Sequence, residues 1–243
     1  QYWEECLNVL HDILLNTNFV EKSFNDEKKV ILEEMKRGQD SPQRVLYNLF
    51  FKTSLKTHPA RRPVIGYEKT ITEITRKEVY DFYKRFYTPS TSFLVVVGDI
   101  DSNVIEKAKI LFGKEKSIDY PDNKFYEEDR KFSLAVESMS VNSCYLMLGL
   151  PTPDIKDPDI PIIDVISFIY GESANSILKE KLKEEKQIVN YVYSYQLSLK
   201  EMGFFIVQAN LACDKTDEVV DELSKLIYAE DVNYSKEMLK RVL

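Results

Sequence analysis

Residues 25–37 read NDEKKVILEEMKR, and this stretch predicts one helix that carries two carboxylates, Glu27 and Glu34. The two acids are seven residues apart, which is close to two helical turns, so both side chains project from the same face. Two acids on one face repel each other unless a positive charge lies between or beside them. A divalent metal ion and the neighbouring lysines are both candidates for that positive charge. The helix sequence by itself does not distinguish between them.

The sequence around this helix predicts a region made mainly of helices. Ser41 and Pro42 are a typical N-cap and first-turn residue for the helix that follows. Thr75 is expected to cap another helix, and the valine-rich apolar run at residues 92–99 predicts a buried strand. The predicted helices of this region cover residues 1–18, 20–37, 75–87 and 102–112, together with the one that starts at residue 41.

A polar and charged segment over residues 114–130 is the best candidate for a domain boundary. It predicts a first domain that ends at residue 116 and a second over residues 117–243. In the second, two strands, then helices, then two more strands predict an α+β layer of helices on an antiparallel sheet. The predicted strands lie near residues 131–138, 143–150, 190–199 and 203–212, and the helices near 159–170, 174–186 and 216–229.

Composition excludes several classes of function. The net charge of −7 argues against nucleic-acid binding, which needs clustered lysine and arginine. No apolar run is long enough to span a bilayer. Three widely spaced cysteines (Cys6, Cys144 and Cys213) fit small buried side chains better than a disulfide framework or a thiolate zinc site.

Taken in order, several of these segments resemble the pitrilysin/insulinase family of zinc metallopeptidases, in the part that follows their inverted His-x-x-Glu-His motif. Each segment is weak evidence alone, but the whole series in one order is hard to produce by chance. The matching segments are the helix from Glu27 to Glu34, Asp40-Ser41-Pro42, residues 58–66 (HPARRPVIG), residues 75–83 (TRKEVYDFY), Tyr87-Thr88-Pro89 and residues 93–99 (FLVVVGD).

The resemblance implies that Glu34 is the third ligand of a catalytic Zn²⁺ and that Glu27 supports the site without binding the metal. Zinc would lower the pKa of its bound water and polarise the scissile carbonyl of an extended or unfolded peptide substrate. The two histidine ligands and the general base belong to the His-x-x-Glu-His motif, which is expected before residue 1. The only histidines here, His11 and His58, do not replace it. The chain is therefore expected to be a fragment without a catalytic residue of its own and inactive by itself.

The family's domains are α+β layers that occur as tandem copies, so the resemblance implies one copy incomplete at its N-terminus and a second incomplete at its C-terminus. Members that complete an active site in the second copy carry an arginine and, seven residues on, a tyrosine. Lys183 and Asn190 stand at those positions, and a one-residue slip to Tyr191 would turn the side chain to the other sheet face.

This departure is typical of the first half of a long, two-half peptidase, whose partner would be its own second half or a homologous subunit. It also fits a non-catalytic homologue that serves as a structural or assembly subunit, as the respiratory-complex core proteins do. Retention of both Glu27 and Glu34 favours the enzyme.

Overall fold

The fold is taken from a computed structural model, which describes residues 2–113, 128 and 131–227. The chain divides into two compact units, one formed by Gln1–Lys36 with Ile65–Asn123 and the other by Arg37–Val64 with Lys124–Leu243. The predicted boundary between residues 116 and 117 lies outside the described residues, as does the predicted linker apart from Glu128, so the boundary stays a prediction.

Eight α-helices and three strands are formed by the described residues. The helices are α1 Trp3–Leu15, α2 Glu21–Gln39, α3 Pro42–Ser54, α4 Glu68–Glu73, α5 Arg76–Phe86, α6 Ser102–Phe112, α7 Ile160–Ser167 and α8 Thr216–Ile227. The strands are β1 Cys144–Thr152, β2 Tyr191–Ser198 and β3 Gly203–Leu211. Wider π-helical turns cover Phe168–Glu172 and Lys179–Glu185, and 3₁₀ turns cover Pro59–Arg61, Pro89–Thr91 and Cys213–Lys215.

Local signals explain the helices of the first unit. Thr75 forms the expected capping box on α5: its hydroxyl accepts from the N–H of Glu78, and the Glu78 carboxylate accepts from the N–H of Thr75 at 2.8 Å. The Tyr83 hydroxyl on α5 then donates to the Leu14 carbonyl at 2.7 Å, which ties α5 to the end of α1. The Asp101 carboxylate caps α6 by accepting from the N–H groups at the start of that helix.

Two predicted strands are absent from the described residues. Residues 92–97 and residues 131–138 run without strand pairing, and their apolar side chains are exposed. The prediction of a buried strand at 92–99 and of another at 131–138 is therefore wrong for this structure. A strand needs a partner to satisfy its main-chain groups, and no described strand lies beside either segment.

The second unit contains an antiparallel sheet in the order β1-β3-β2, so β3 is the central strand. Every residue of β3 is buried, because both faces of the sheet are covered. On one face Phe51 of α3 and Leu55, which directly follows α3, pack against Phe204 and Ile206. The opposite face holds the larger core, formed with Leu178, Leu182, Ile188, Val192, Val207, Ala209, Leu211, Val219 and Leu223. The predicted α+β class is confirmed, and β1, β2 and β3 match three of the predicted strands.

Two glycines permit this close packing. A Cβ on Gly149 in β1 would overlap the ring of Phe50, so glycine lets α3 lie against the sheet. A Cβ on Gly171 would overlap the main chain at Ser194, so glycine lets the Phe168–Glu172 turn lie directly on β2. The Ser194 hydroxyl then donates to the Ser167 carbonyl at 2.9 Å, which fixes the strand to the helix end.

A disulfide joins Cys144 to Cys213, which corrects the interpretation of the cysteines as unpaired buried residues. Cys144 lies opposite Leu211 in the β1–β3 register, so Cys213, two residues further on, comes within reach with the Cα atoms 4.9 Å apart. The 69-residue separation hides this proximity in the sequence. Cys6 is a free, exposed cysteine.

Candidate functional site

The helix α2 presents the predicted site residues, and Lys28 anchors it in the first unit. The Lys28 ammonium donates to the carbonyls of Thr72 and Ile74 at 2.8 and 3.0 Å, at the C-terminal end of α4. Met35 is buried on the same helix. These contacts fix which face of α2 turns inward.

Glu27 and Glu34 both lie on exposed positions of α2. Seven residues along a helix separate their Cα atoms by about 10 Å, since the rise is about 1.5 Å per residue. That spacing suits one metal ligand and one supporting acid better than two ligands of a single ion, whose oxygen atoms lie about 2 Å from the metal. The arrangement agrees with the unequal roles that the sequence predicts, which stay predictions.

The neighbouring lysines, the other candidate for the balancing charge, contact other acids. Lys29 pairs with Asp26 at 3.2 Å and Lys36 with Glu33 at 3.0 Å. The hydrogen bond to Glu33, followed by the charge of Glu33, raises the pKa of Lys36. Both pairs are solvent-exposed, so each contributes little to stability.

The described residues do not complete a zinc site. No group of three or more histidine, cysteine, aspartate or glutamate side chains comes together among them. His11 packs edge-on against Phe112, and the His58 ring lies 3.4 Å from the Glu201 carboxylate. The described part of this chain therefore does not bring together the histidines that a catalytic zinc site needs, and the role of Glu34 as a zinc ligand stays a prediction.

The HPARRPVIG loop is built around His58, which is buried. Its Nδ1 accepts from the N–H of Ala60 at 3.2 Å, and Arg61 donates from Nε to the Leu55 carbonyl at 3.3 Å. These internal contacts favour a structural role for the loop over contact with a substrate.

Glu128, which the sequence did not single out, closes the same loop. Its carboxylate accepts from the consecutive N–H groups of Lys56, Thr57 and His58 at 2.8, 3.1 and 3.0 Å. Burial acts to raise the pKa of Glu128, but the hydrogen bonds from those three residues outweigh it and hold the pKa below its usual value. Three successive amides around one carboxylate form an anion-binding nest. No local sequence signal marks Glu128, because its partners are about 70 residues away.

The two positions at which the family carries the arginine and the tyrosine both lie before the start of β2. Lys183 is exposed in the Lys179–Glu185 turn. Asn190 donates from its side-chain amide to the Asn210 side chain at 2.7 Å, so it extends the β2–β3 pairing. Tyr191 begins β2 on the sheet face that α3 covers and hydrogen-bonds Gln43.

Three tyrosines form a ladder along β2 that the sequence analysis missed. Tyr191, Tyr193 and Tyr195 stack with successive ring centroids 5.9 Å apart. Burial, aided by the neighbouring Tyr193 and Tyr47, raises the pKa of Tyr195 to about 12. The hydroxyls therefore stay protonated at neutral pH, and this face offers aromatic surface and neutral donors. The alternation YVYSY at residues 191–195 is the signal that could have found it.

Comparison with known proteins gives the family. The sequence model described as "Peptidase M16 inactive domain" matches residues 73–242, more than half of the chain. The chain belongs to the peptidase M16 family. This confirms the resemblance to the pitrilysin/insulinase metallopeptidases, and the matched part is the one described as inactive.

Individual M16 relatives align with almost the whole length of this chain. An uncharacterized zinc protease of Rickettsia felis is 28% identical over 98% of this chain and 58% of its own length. The zinc protease PqqE of Helicobacter pylori is also 28% identical, over 98% of this chain and 56% of its own. A crystal structure of a Helicobacter pylori protease superimposes with a TM-score of 0.86 at 25% identity, covering 99% of this chain and 60% of that one. The chain thus spans less than two thirds of the length of each.

None of the described helices of this M16 chain has the length and hydrophobicity needed to span a membrane.

Proposed function

We propose that this chain is part of a zinc-dependent M16 peptidase that cleaves extended peptides, and that it contributes Glu34 to the zinc site. The observation that carries the proposal is the exposed carboxylate pair on α2, held on an anchored helix in a chain whose relatives are named zinc proteases. Glu27 orients the site without binding the metal. Zinc, when bound in the whole protein, activates water for peptide hydrolysis.

The chain alone is inactive under this proposal. The general base and two histidine ligands come from polypeptide outside these 243 residues, and the second half of the enzyme comes from the same protein or from a homologous subunit. Lys183 and Asn190 do not supply the arginine and tyrosine of an active second copy, so that pair comes from the partner half.

The zinc role is tested on the full-length parent protein by metal analysis, which does not depend on activity. We expect one zinc per chain in the wild type, loss of most of it in Glu34→Gln, and retention in Glu33→Gln, the adjacent exposed glutamate. Glu27→Gln is expected to weaken binding by about 10–100-fold without abolishing it. Equal zinc content in the Glu33 and Glu34 variants would contradict the assignment.

A second candidate function is a structural or assembly subunit without catalysis. The match to a domain described as inactive and the replacement of the arginine and tyrosine by Lys183 and Asn190 favour it. Sequencing about a hundred codons upstream in the parent gene separates the two candidates. An in-frame His-x-x-Glu-His supports the peptidase, whereas its absence makes the carboxylate pair a relic.

The 243-residue chain gives a further control. We expect it to hydrolyse no unfolded peptide and to retain no stoichiometric zinc after dialysis. Robust hydrolysis by this chain alone that a chelator abolishes would overturn the proposal that the rest of the site lies elsewhere.

A further inference from the structure

The Cys144–Cys213 disulfide of the second unit has no part in the proposed zinc site. Its two cysteines lie in different surroundings. Cys213 is exposed in the turn between β3 and α8, whereas Cys144 is partly buried as the first residue of β1. An exposed disulfide is open to attack by a thiolate, and an enclosed one is protected from it. Cys213 is therefore the side from which a reductant reaches this bond.

The disulfide joins parts of the second unit that are far apart in the sequence. All three strands lie between the two cysteines, and β1 pairs only with β3 among the described strands. Cys144 is opposite Leu211, at the last pair of the β1–β3 ladder. The bond therefore ties the start of β1 to the chain that leads into α8, whose Val219 and Leu223 are buried in the larger core. Breaking the bond removes the covalent link between β1 and α8.

A hydrogen-bond network holds the same end of the sheet without the disulfide. Asn210 on β3 is buried, and its side-chain amide donates to the Ser143 hydroxyl at 2.9 Å and to the Cys144 carbonyl at 3.1 Å. Its side-chain oxygen accepts from the side chain of Asn190, directly before β2, at 2.7 Å. These bonds keep Cys144 in register opposite Leu211, so the two thiols stay close together after reduction. The disulfide can therefore break and form again while the sheet stays folded.

We propose that Cys144–Cys213 is a thiol–disulfide exchange site, at which a dithiol reductant loosens the second unit of the parent protein. A thiolate of the reductant attacks Sγ of Cys213 and forms a mixed disulfide, and Cys144 leaves as a thiolate that takes a proton from water. The second thiolate of the reductant then attacks the reductant's own sulfur in the mixed disulfide and releases Cys213, which is likewise protonated. Two electrons pass to the protein, and the dithiol ends as an intramolecular disulfide.

Reduction is expected to loosen the unit locally rather than to unfold it. The cross-link spans 69 residues, so its loss gives the chain more freedom to open. Opening is expected at β1 and α8, the two elements that the disulfide joins, whereas β2 keeps its pairing with β3. The redox state of the surroundings thereby sets how firmly β1 and α8 are held. This applies to a peptidase and to a scaffold alike, so it does not depend on the proposed zinc site.

Alkylation in the full-length parent protein tests whether the bond is accessible. The folded protein is incubated with about 1 mM dithiothreitol without denaturant, and free thiols are blocked and identified by mass spectrometry. We expect Cys144 and Cys213 to become alkylated while the far-UV circular dichroism stays unchanged, and Cys6→Ser to give the same rates. Reduction only after a denaturant unfolds the protein would overturn the proposal. Alkylation of both cysteines before any reductant is added would overturn it as well.

A monothiol identifies the sulfur that is attacked. With 2-mercaptoethanol in place of the dithiol, the first step is expected to leave the adduct on Cys213 and a free, alkylated thiol at Cys144. The adduct on Cys144 with a free Cys213 would contradict the assigned direction of attack.

Hydrogen exchange in the same parent protein measures the loosening. After reduction, we expect the protected amides among residues 145–149 of β1 and 220–223 of α8 to exchange at least about 10-fold faster, and those of residues 192–196 in β2 to be unchanged. The unchanged β2 amides show that the domain is still folded. The double variant Cys144→Ser/Cys213→Ser should exchange like the reduced protein in both media. Equal exchange of β1 and α8 in the oxidised and reduced proteins would overturn the proposal.

Discussion

Strand β3 and residues 92–97 are both rich in apolar residues, but only β3 is buried and paired among the described residues. β3 reads GFFIVQANL and is buried at every position between β1 and β2. Residues 92–97 read SFLVVV and have no paired neighbour among the described residues. The local preference for extended structure is at least as strong in the second segment. The difference lies in partners, because strand structure depends on a neighbouring main chain that satisfies its N–H and C=O groups.

The largest expected contrast comes from removing one phenylalanine from each region. Phe204→Ala should destabilise the 243-residue chain by about 3–5 kcal/mol, because the ring is buried against Phe50 and Phe51. Phe93→Ala should change stability by less than about 0.5 kcal/mol, since the ring is exposed. Urea unfolding of both variants measures the contrast. A loss of several kcal/mol from Phe93→Ala would mean that residues 92–97 are already packed in this chain.

The disulfide gives the next largest effect, since it secures β1 to the chain that leaves β3. Replacing Cys144 and Cys213 by serine should cost about 2–4 kcal/mol, because closing a long loop restricts the unfolded state. Cys6→Ser is the control and should be neutral, since Cys6 is free and exposed. Mass spectrometry of alkylated peptides, with and without reductant, establishes the bond before urea unfolding measures its contribution. Alkylation of Cys144 and Cys213 in the folded, unreduced protein would contradict the pairing.

Elements with local signals could be predicted from the sequence, and elements with distant partners could not. The capping residues Thr75 and Asp101 lie within three residues of the N–H groups that they cap. The starts of α5 and α6 are therefore marked by residues close by in the sequence. The shared helix face of Glu27 and Glu34 likewise follows from their spacing along a single helix. By contrast, the partner of Cys144 is 69 residues away, and nothing near it in the sequence reveals that partner.

The strand predictions follow the same rule. β1, β2 and β3 were predicted and pair with one another, whereas residues 92–99 and 131–138 were predicted on equal patterns and are unpaired in the described structure. The pattern of apolar residues predicts which segments favour a strand. It does not predict whether a neighbouring strand is available to pair with them. The predicted metal site follows the same rule: the role of Glu34 stays a prediction, because no group of three or more possible ligand side chains comes together among the described residues.

A smaller effect is expected where β2 meets the Phe168–Glu172 turn. Gly171→Ala should destabilise the chain by about 1–3 kcal/mol, because the added methyl group would overlap the main chain at Ser194 and push β2 away from its packing. Gly38→Ala on α2 is the matched control and should be neutral or slightly stabilising, since the nearest atoms belong to the flexible Arg44 side chain. Urea unfolding again gives the comparison, and equal effects at the two glycines would show that β2 can shift without cost.

The smallest effect is expected at Glu128, whose contacts order a loop rather than a strand. Its folded-state pKa lies below the ordinary glutamate value, so its stabilisation is present above that ordinary value and is lost as the pH falls through the folded-state pKa. Glu128→Gln should therefore cost about 1 kcal/mol at pH 7 and less at low pH, because the amide keeps one acceptor oxygen for the N–H groups of Lys56, Thr57 and His58. Glu137→Gln, at an exposed position, is the control and should leave the free energy of unfolding unchanged. Urea unfolding at pH 7 and at pH 3 measures both variants. A cost at Glu128 that grows as the pH falls would mean that the nest binds the protonated acid more tightly than the carboxylate, which would contradict a lowered pKa of Glu128.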